Sequence, residues 1–236
     1  MKKISQLVIS ISLVAATSLF AKNESNVLNE LSNISFIKNG KFKLKELKDL
    51  GDVYAIKASH PRMPKLTLFV TKDRNTVILG NGFDKDGKII EFPVDMSKYD
   101  GKESFTIGNG KIIYYVFTDP ECPYCRKFEN QLDKLSKDIQ LKVFLFPLSF
   151  HKHSIAMSKY ILSQKNNIEK AKAMKDIANN GTKWSKAKYT EKENKEFEKI
   201  LAEHKQIGID VGVRGTPAIF SSTGKSIPWP DLLKRK

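Results

Sequence analysis

Both cysteines of the chain, Cys122 and Cys125, lie in the segment FTDPECPYCRKFE and are separated by two residues. A disulfide that closes so short a ring removes little loop entropy from the unfolded chain, so a structural bridge is a poor explanation of the pair. A zinc site needs about four ligands, and the nearest histidines, His151 and His153, do not form a second ligand pair of the usual spacing. The spacing therefore predicts a redox couple that exchanges disulfides, without a metal or a cofactor.

The couple lies between a predicted buried strand, at 112–117, and a segment with apolar residues at helical spacing, at 122–138. At the start of a helix, unpaired N–H groups and the helix dipole favour an anion. We therefore expect the pKa of Cys122 to fall below its ordinary value of about 8.5. Cys122 is the predicted nucleophile, and Cys125, one turn later and more enclosed, is the predicted resolving thiol.

Four neighbours of the cysteines bear on this chemistry. Pro123 suits the first turn of a helix, where its missing N–H is not needed. Tyr124 offers a ring against which a substrate peptide can lie. Asp119 and Glu121 carry negative charges that oppose a thiolate, but we interpret both as solvated acids of the loop.

A second motif, Gly-Thr-Pro, ends at Pro217, about ninety residues after the cysteines and just before a short predicted strand at 218–221. From the residues alone, a trans proline at the start of a strand is the commoner arrangement. The alternative is a cis peptide bond after Thr216 that faces the cysteines; about one X–Pro bond in twenty is cis.

The first 21 residues have the pattern of a signal peptide. Lys2 and Lys3 form the charged start, the stretch 7–20 is mostly apolar, and Ala21 is small enough for cleavage. This apolar stretch is shorter than the roughly 20 residues that span a bilayer, so an uncleaved anchor is the weaker alternative. The pattern predicts that the remaining chain is exported.

The rest of the chain divides into a β-rich segment, a linker and an α/β segment. Residues 22–96 contain short alternating strands, such as KLTLFVT at 65–71, and predict a small antiparallel meander. Because so few residues make a marginal core, pairing with a second copy would cover its apolar face and edges. Residues 97–110 are polar with three glycines and are interpreted as a linker.

The segment 111–236 begins with strand, helix and strand, a unit in which the two strands are parallel. A polar helical stretch follows at 154–206, and Gly181 divides it. The predicted fold class is therefore α+β, with a β-rich N-terminal domain at 22–96 and an α/β domain with a helical insertion at 111–236.

The chain carries a formal charge of +15, but its lysines are spread along the sequence and mixed with acids. No nucleic-acid motif accompanies them, so nucleic acid is not an expected partner. The four histidines, His60, His151, His153 and His204, have no recognisable catalytic spacing and are interpreted as surface or packing residues.

A strand, CPYC and a helix, followed later by Gly-Thr-Pro and a strand, resemble the thioredoxin fold. The phrase FTDPECPYC and the pair Thr216-Pro217 more closely resemble the DsbC/DsbG family of periplasmic thiol–disulfide isomerases. The resemblance covers nearly the whole chain after the signal peptide. One departure is the absence of the additional structural disulfide that DsbC has in its catalytic domain.

This resemblance implies a periplasmic homodimer whose catalytic faces look into a shared cleft. Cys122 and Cys125 would be catalytic. Pro123, Tyr124, Thr216 and cis-Pro217, which match the family's motifs, would bind the substrate peptide. The implied partners are exported proteins with non-native disulfides and a membrane reductase of the DsbD type.

Three other functions stay open at this point. The same fold can act as a dithiol oxidase, because the direction of exchange depends on reduction potential and partner. A holdase chaperone would use the cleft and not the thiols. A reductant for cytochrome c assembly would not need the N-terminal domain.

Overall fold

The N-terminal sheet consists of four antiparallel strands in sequence order. Its strands are β1 (Lys43–Asp49), β2 (Val53–His60), β3 (Met63–Thr71) and β4 (Val77–Leu79). The alternation in β3 buries Leu66, Leu68 and Val70 on one face, as the sequence pattern predicts. Helical residues 24–32 (α1) and the helix α2 (Ser35–Asn39) add Leu31 and Ile37 to the same core.

The computed structural model describes residues 24–87, 89–90, 92 and 94–234, so the predicted signal peptide at 1–21 lies outside the described residues. The chain divides into two compact units, with the division after Phe92. Among the described residues, no helix is both long and apolar enough to cross a membrane.

A second sheet of four strands, in the order β5-β7-β6-β8, organises the C-terminal unit. Its strands are β5 (Phe105–Ile107), β6 (Ile112–Thr118), β7 (Ile139–Leu145) and β8 (Ala218–Ser221). β6 and β7 are parallel, as the strand–helix–strand pattern predicts, and β5 and β8 run antiparallel to their neighbours. An N-terminal antiparallel sheet followed by an α/β unit with helices confirms the predicted fold class.

β6 is buried on both faces, which explains its continuous apolar sequence. Tyr114 and Val116 pack into one hydrophobic core of this unit, while Tyr115 and Phe117 pack into the core on the other face. The strand is thereby held firmly up to Thr118, its last residue, and the CxxC segment follows four residues later.

Helices follow the second parallel strand. Between β7 and β8 they are α4 (Ser154–Leu162), α5 (Asn167–Ala178) and α6 (Glu191–Val211), and α7 (Trp229–Leu232) comes after β8. One earlier helix, α3 (Pro123–Glu129), lies between β6 and β7. Short 3-10 turns occur at Ser97–Tyr99, Leu132–Lys134 and Lys183–Lys186. Gly181 falls between α5 and α6, where the sequence predicts a division of the helical stretch.

Two segments differ from their predicted structure. Residues 97–110, predicted as a linker, belong to the C-terminal unit and contribute β5, because the side chains of Tyr99 and Phe105 are buried there. The predicted domain boundaries at 96 and 111 stay a prediction. The helix predicted over 122–138 ends at Glu129, although Leu132 and Leu135 still pack against the same core.

His204 on α6 is a buried packing residue that joins three segments of the C-terminal unit. Its Nδ1 accepts a hydrogen bond from the backbone N–H of Leu145 at 3.1 Å, and its Nε2 donates to the carbonyl of Lys102 at 2.8 Å. Only the neutral ring makes both bonds. Burial lowers the pKa of His204, and the hydrogen bonds to backbone oppose that shift.

We expect acid to destabilise the fold through His204. The folded-state pKa lies below the unfolded value of about 6.5, so the stabilisation is complete above that pH and is lost as the pH falls. Below about pH 6.5 the free energy of unfolding should fall up to about 1.4 kcal/mol per pH unit more steeply in the native protein than in His204→Gln. Urea unfolding at several pH values measures this, with the exposed His153→Gln as control. Equal slopes in native protein and His204→Gln would contradict it.

Candidate active site

The two cysteines occupy the junction between β6 and α3. Cys122 is the residue before the first turn of α3, with extended backbone angles (φ −65°, ψ 125°), and Pro123 is the first residue of the helix. A proline fits there because its φ is already helical and its missing N–H has no helical partner to lose. Cys125 follows in the first turn and is fully buried, whereas Cys122 keeps 5% of its surface exposed.

Backbone groups of Asp119, in the junction, and of Thr216, in the segment before β8, contact the sulfurs. The N–H of Asp119 donates to Cys125 Sγ at 3.4 Å. Cys122 Sγ lies 3.4 Å from the carbonyl oxygen of Thr216, to which it donates only while it is protonated. The peptide bond between Thr216 and Pro217 is cis. The structure therefore has the arrangement that the resemblance implies, and the trans alternative favoured by residue statistics is wrong here.

The two thiols have opposite pKa shifts. A hydrogen bond from the Cys125 thiol is the largest cause that lowers the pKa of Cys122, to about 5, and the N–H groups of Cys125 and Tyr124 add to it, while burial opposes the shift. Burial raises the pKa of Cys125, and the hydrogen bond to Cys122 and the charge of Glu129 raise it further. The pKa of Cys122 falls in the direction that the sequence predicts.

The other predicted binding residues differ in how exposed they are. Pro123 and Tyr124 are exposed, and 63% of the tyrosine's surface is accessible. Thr216 and Pro217 are half-buried, and Thr216 is joined to Cys122 by the carbonyl contact. These residues therefore form one rim of accessible surface around the less buried sulfur.

Asp119 is not a solvated loop acid, so that interpretation is wrong. Its side chain is completely buried and accepts four hydrogen bonds. The donors are the N–H of Glu121 at 2.8 Å, the N–H of Leu148 at 2.7 Å, the hydroxyl of Ser154 at 2.6 Å and the ring Nδ1 of His151 at 2.8 Å. Asp119 thus ties the loop after β7 to the junction that holds the thiols.

Residues 102–229, more than half of the chain, match a family model described as a thioredoxin-like domain. The chain belongs to the thioredoxin-like family of DsbC- and DsbG-type disulfide interchange proteins. It is 30% identical over 145 residues to the thiol:disulfide interchange protein DsbC of Haemophilus influenzae, covering 61% of this chain and 58% of that protein. It is 28% identical over 171 residues to DsbG of Escherichia coli, covering 66% of this chain and 67% of that protein.

Among solved structures, Helicobacter pylori DsbG is 16% identical, with a TM-score of 0.43 and coverage of 81% of this chain and 98% of that one. The chain spans less than two thirds of the Haemophilus relative, and the matches to both curated relatives cover only part of each.

This thioredoxin-like unit contains one buried acid that the sequence reasoning missed. Glu129, on α3, is 2% exposed, and its Oε1 accepts a hydrogen bond from the hydroxyl of Thr118 at 2.8 Å. Burial raises the pKa of Glu129 to about 8. The signal was present in the sequence, because Glu129 follows Cys125 by four residues and therefore shares its face of the helix.

We expect Cys125→Ala to raise the pKa of Cys122 from about 5 toward the ordinary value of about 8.5, because the variant removes the strongest hydrogen bond to the thiolate. The pH dependence of alkylation by iodoacetamide measures this shift. Cys122→Ala should abolish the alkylation signal and serves as the control. An unchanged titration curve in Cys125→Ala would show that the hydrogen bond from the Cys125 thiol does not stabilise the thiolate.

We expect Asp119→Ala to destabilise the protein by about 2–4 kcal/mol, because it leaves the N–H groups of Glu121 and Leu148 without their acceptor. Urea unfolding measures the loss. Asp133→Asn, which alters an exposed acid paired with Lys175, should change stability by less than about 1 kcal/mol. Equal stability of the two variants would mean that water replaces the Asp119 side chain.

Proposed function

We propose that the protein exchanges disulfides through Cys122 and Cys125, and that it reduces or isomerises non-native disulfides in exported proteins. The observation that carries this proposal is the inequality of the two thiols beside Thr216. Cys122 is ionised at neutral pH, with a pKa of about 5, and is the less buried sulfur, while Cys125 is enclosed and protonated.

The two thiols divide the reaction between them. The Cys122 thiolate attacks a substrate disulfide and forms a mixed disulfide, releasing the other substrate sulfur as a thiolate. Cys125 then attacks Cys122 and releases the reduced substrate. Alternatively, another substrate thiol attacks the mixed disulfide, which completes an isomerisation and releases Cys122. The substrate peptide lies against the rim formed by Pro123, Tyr124, Thr216 and Pro217.

The location and the electron donor are part of the same proposal. The predicted signal peptide at 1–21 supports export to the periplasm. A protein that attacks disulfides with a thiolate must be supplied with electrons, and a membrane reductase of the DsbD type is the donor we infer. The relatives named thiol:disulfide interchange proteins support this assignment of the chemistry.

We infer that the N-terminal segment 22–96 is a dimerisation domain. β4 is an edge strand of three residues, and its Ile78 and Leu79 are 52% and 46% exposed. An apolar edge strand favours pairing with another strand, and a second copy of the chain supplies one. A dimer would shield Cys122 from oxidising enzymes and so favour the reducing direction.

One observation favours a second candidate function, a dithiol oxidase. A thiolate with a pKa of about 5 is a good leaving group, and its stability makes the Cys122–Cys125 disulfide more oxidising. The two candidates therefore differ in the redox state that the pair keeps in the cell.

We expect Cys125→Ala to accumulate mixed disulfides between Cys122 and exported proteins, because the resolving thiol is gone. Non-reducing electrophoresis of cell extracts detects them, and the double variant Cys122→Ala/Cys125→Ala is the control that should show none. If the double variant protects unfolded proteins from aggregation as well as the native protein and no mixed disulfides form, the chain is a holdase.

Thiol trapping in intact cells distinguishes the two directions. Acid quenching followed by alkylation with a maleimide that adds mass should show the Cys122–Cys125 pair mostly reduced in a reductase or isomerase. A pair that is mostly oxidised would support the oxidase and contradict the preferred function.

We expect Ile78→Lys to convert a dimer into a monomer, because the charge would be buried at the paired edge. Sedimentation velocity measures the change. Ile168→Lys, at a residue of α5 that is 68% exposed, is the matched control and should leave the dimer intact. Identical sedimentation of native protein and both variants would remove β4 from the interface.

A further inference from the structure

The C-terminal unit contains a cavity that lies apart from the redox couple. It has a volume of about 480 Å³ and lies between the end of α3, the edge strand β5 and the helix α5. Ligand sites usually have volumes of roughly 300–1,000 Å³, so this cavity is large enough for a small molecule. Its wall includes Glu129, the last residue of α3, which lies about 10 Å along the helix axis from Cys122.

Polar contacts on two sides hold this cavity open. The side-chain amide of Asn167, the first residue of α5, donates to Thr106 Oγ1 on β5 at 2.9 Å. Further along the same helix, Lys175 pairs with Asp133, which follows α3, at 2.6 Å. These contacts fasten α5 to β5 at its start and to the turn after α3 near its end. The space between the three elements is therefore a built part of the fold.

The interior of the cavity is aliphatic. The apolar side chains inside it are Ile107, Leu132, Ala171 and Met174. The described residues of this wall include no aromatic ring, so a flat ring entering the cavity has no face to stack on. Unbranched and flexible side chains such as methionine adapt to a ligand that is itself flexible. The wall therefore suits an aliphatic chain better than an aromatic ring.

Glu129 does not interrupt this aliphatic interior. Its Oε1 accepts the hydrogen bond from Thr118, and its Oε2 is buried, so the carboxyl oxygens contribute almost no surface to the wall. Burial also raises the pKa of Glu129 to about 8, so the group is mainly uncharged at neutral pH. The buried end of the cavity therefore does not repel an anion.

Lysines lie at the mouth of the cavity. Ile168, Ala171, Lys172 and Lys175 are spaced three or four residues apart and share one face of α5. Ala171 is half-buried, whereas the two lysines are exposed. Lys175 is paired with Asp133, but Lys172 forms no ion pair within the part of the chain that the structure describes. The mouth thus offers one cation that can pair with an anionic ligand.

From this arrangement we propose that the cavity binds a single-chain aliphatic carboxylate, such as a medium-chain fatty acid, with its chain inside and its carboxylate beside Lys172. The chain leaves water for an aliphatic wall, and the charged head stays at an exposed lysine where it keeps part of its hydration. This proposal goes beyond the exchange of disulfides and does not depend on it, because the cavity uses neither sulfur.

Isothermal titration calorimetry of the reduced protein tests the proposal. The probes are hexanoate, octanoate and decanoate, each kept below its micelle concentration. One molecule should bind per chain, and each added methylene should tighten binding by about fourfold until the cavity is filled. An absence of saturable decanoate binding would overturn the proposal.

A ligand with the opposite charge tests the role of the lysines. Decyltrimethylammonium has a chain of the same length as decanoate and a cationic head. It should bind at least about tenfold more weakly, because its head meets Lys172 and Lys175 with the wrong sign. Equal affinities for the two ligands would contradict the proposed position of the head.

Matched variants locate the ligand. Ala171→Phe fills the cavity and should abolish binding, whereas Ala171→Ser keeps the space and should bind decanoate as the native protein does. Lys172→Gln should weaken binding by about threefold. Lys195→Gln removes an exposed lysine of α6 outside this cavity and should leave the affinity unchanged. Native affinity in either Ala171→Phe or Lys172→Gln would overturn the proposal, provided that circular dichroism shows the variant to be folded.

The rim around Cys122 is the other surface that can hold an apolar ligand. Alkylation of Cys122 with iodoacetamide blocks that rim and should leave the affinity for decanoate unchanged. Loss of binding after alkylation would place the ligand at the redox couple and reject the cavity as its site. Failure of the proposed function is a separate result, because a protein that forms no mixed disulfides can still bind decanoate in the cavity.

Discussion

The backbone of Asp119 holds both ends of the redox couple. Its N–H donates to Cys125 Sγ at 3.4 Å, and its carbonyl accepts from the N–H of Cys122 at 3.0 Å. These contacts place the sulfurs correctly only if residue 119 itself cannot move. Strand β6 holds it from one side, and the buried side chain, with its four donors, ties it to the loop after β7. The reactive geometry therefore depends on one carboxylate that takes no part in the exchange.

A second consequence of this junction is that only one of the two sulfurs carries a negative charge. The pair is enclosed where the local dielectric is low, so two thiolates side by side would repel strongly and neither would be solvated. Cys122 carries the charge, because the helix N–H groups and the Cys125 thiol donate hydrogen bonds to it. Cys125 stays protonated because the same hydrogen bond and the surrounding apolar packing stabilise its neutral form. The unequal roles of the cysteines follow from this arrangement and not from any difference in residue type.

Much of this site is predictable from sequence, because its determinants are local. The CxxC spacing, the buried run of β6 and Pro123 at the helix start place the couple at a strand–helix junction. Alternation in β3 predicts the N-terminal sheet in the same way. The burial of Asp119 is different, because its partners at 148–154 are about thirty residues away and share no pattern with it. Phe105, between glycines and polar residues, likewise looks like part of a linker until its pairing with Val143 is known.

The two buried acids near the couple differ in the number of hydrogen bonds that they accept. Asp119 has four donors directed at its oxygens, so its hydrogen bonds hold the side chain in one position. Glu129 has one donor, and its second oxygen has none among the described residues. A carboxyl with so few donors stabilises its charged form poorly and can change protonation when a nearby charge changes. The junction therefore contains two different acids: Asp119, whose donors hold the loop after β7 in place, and Glu129, a buried carboxyl with few donors and a raised pKa.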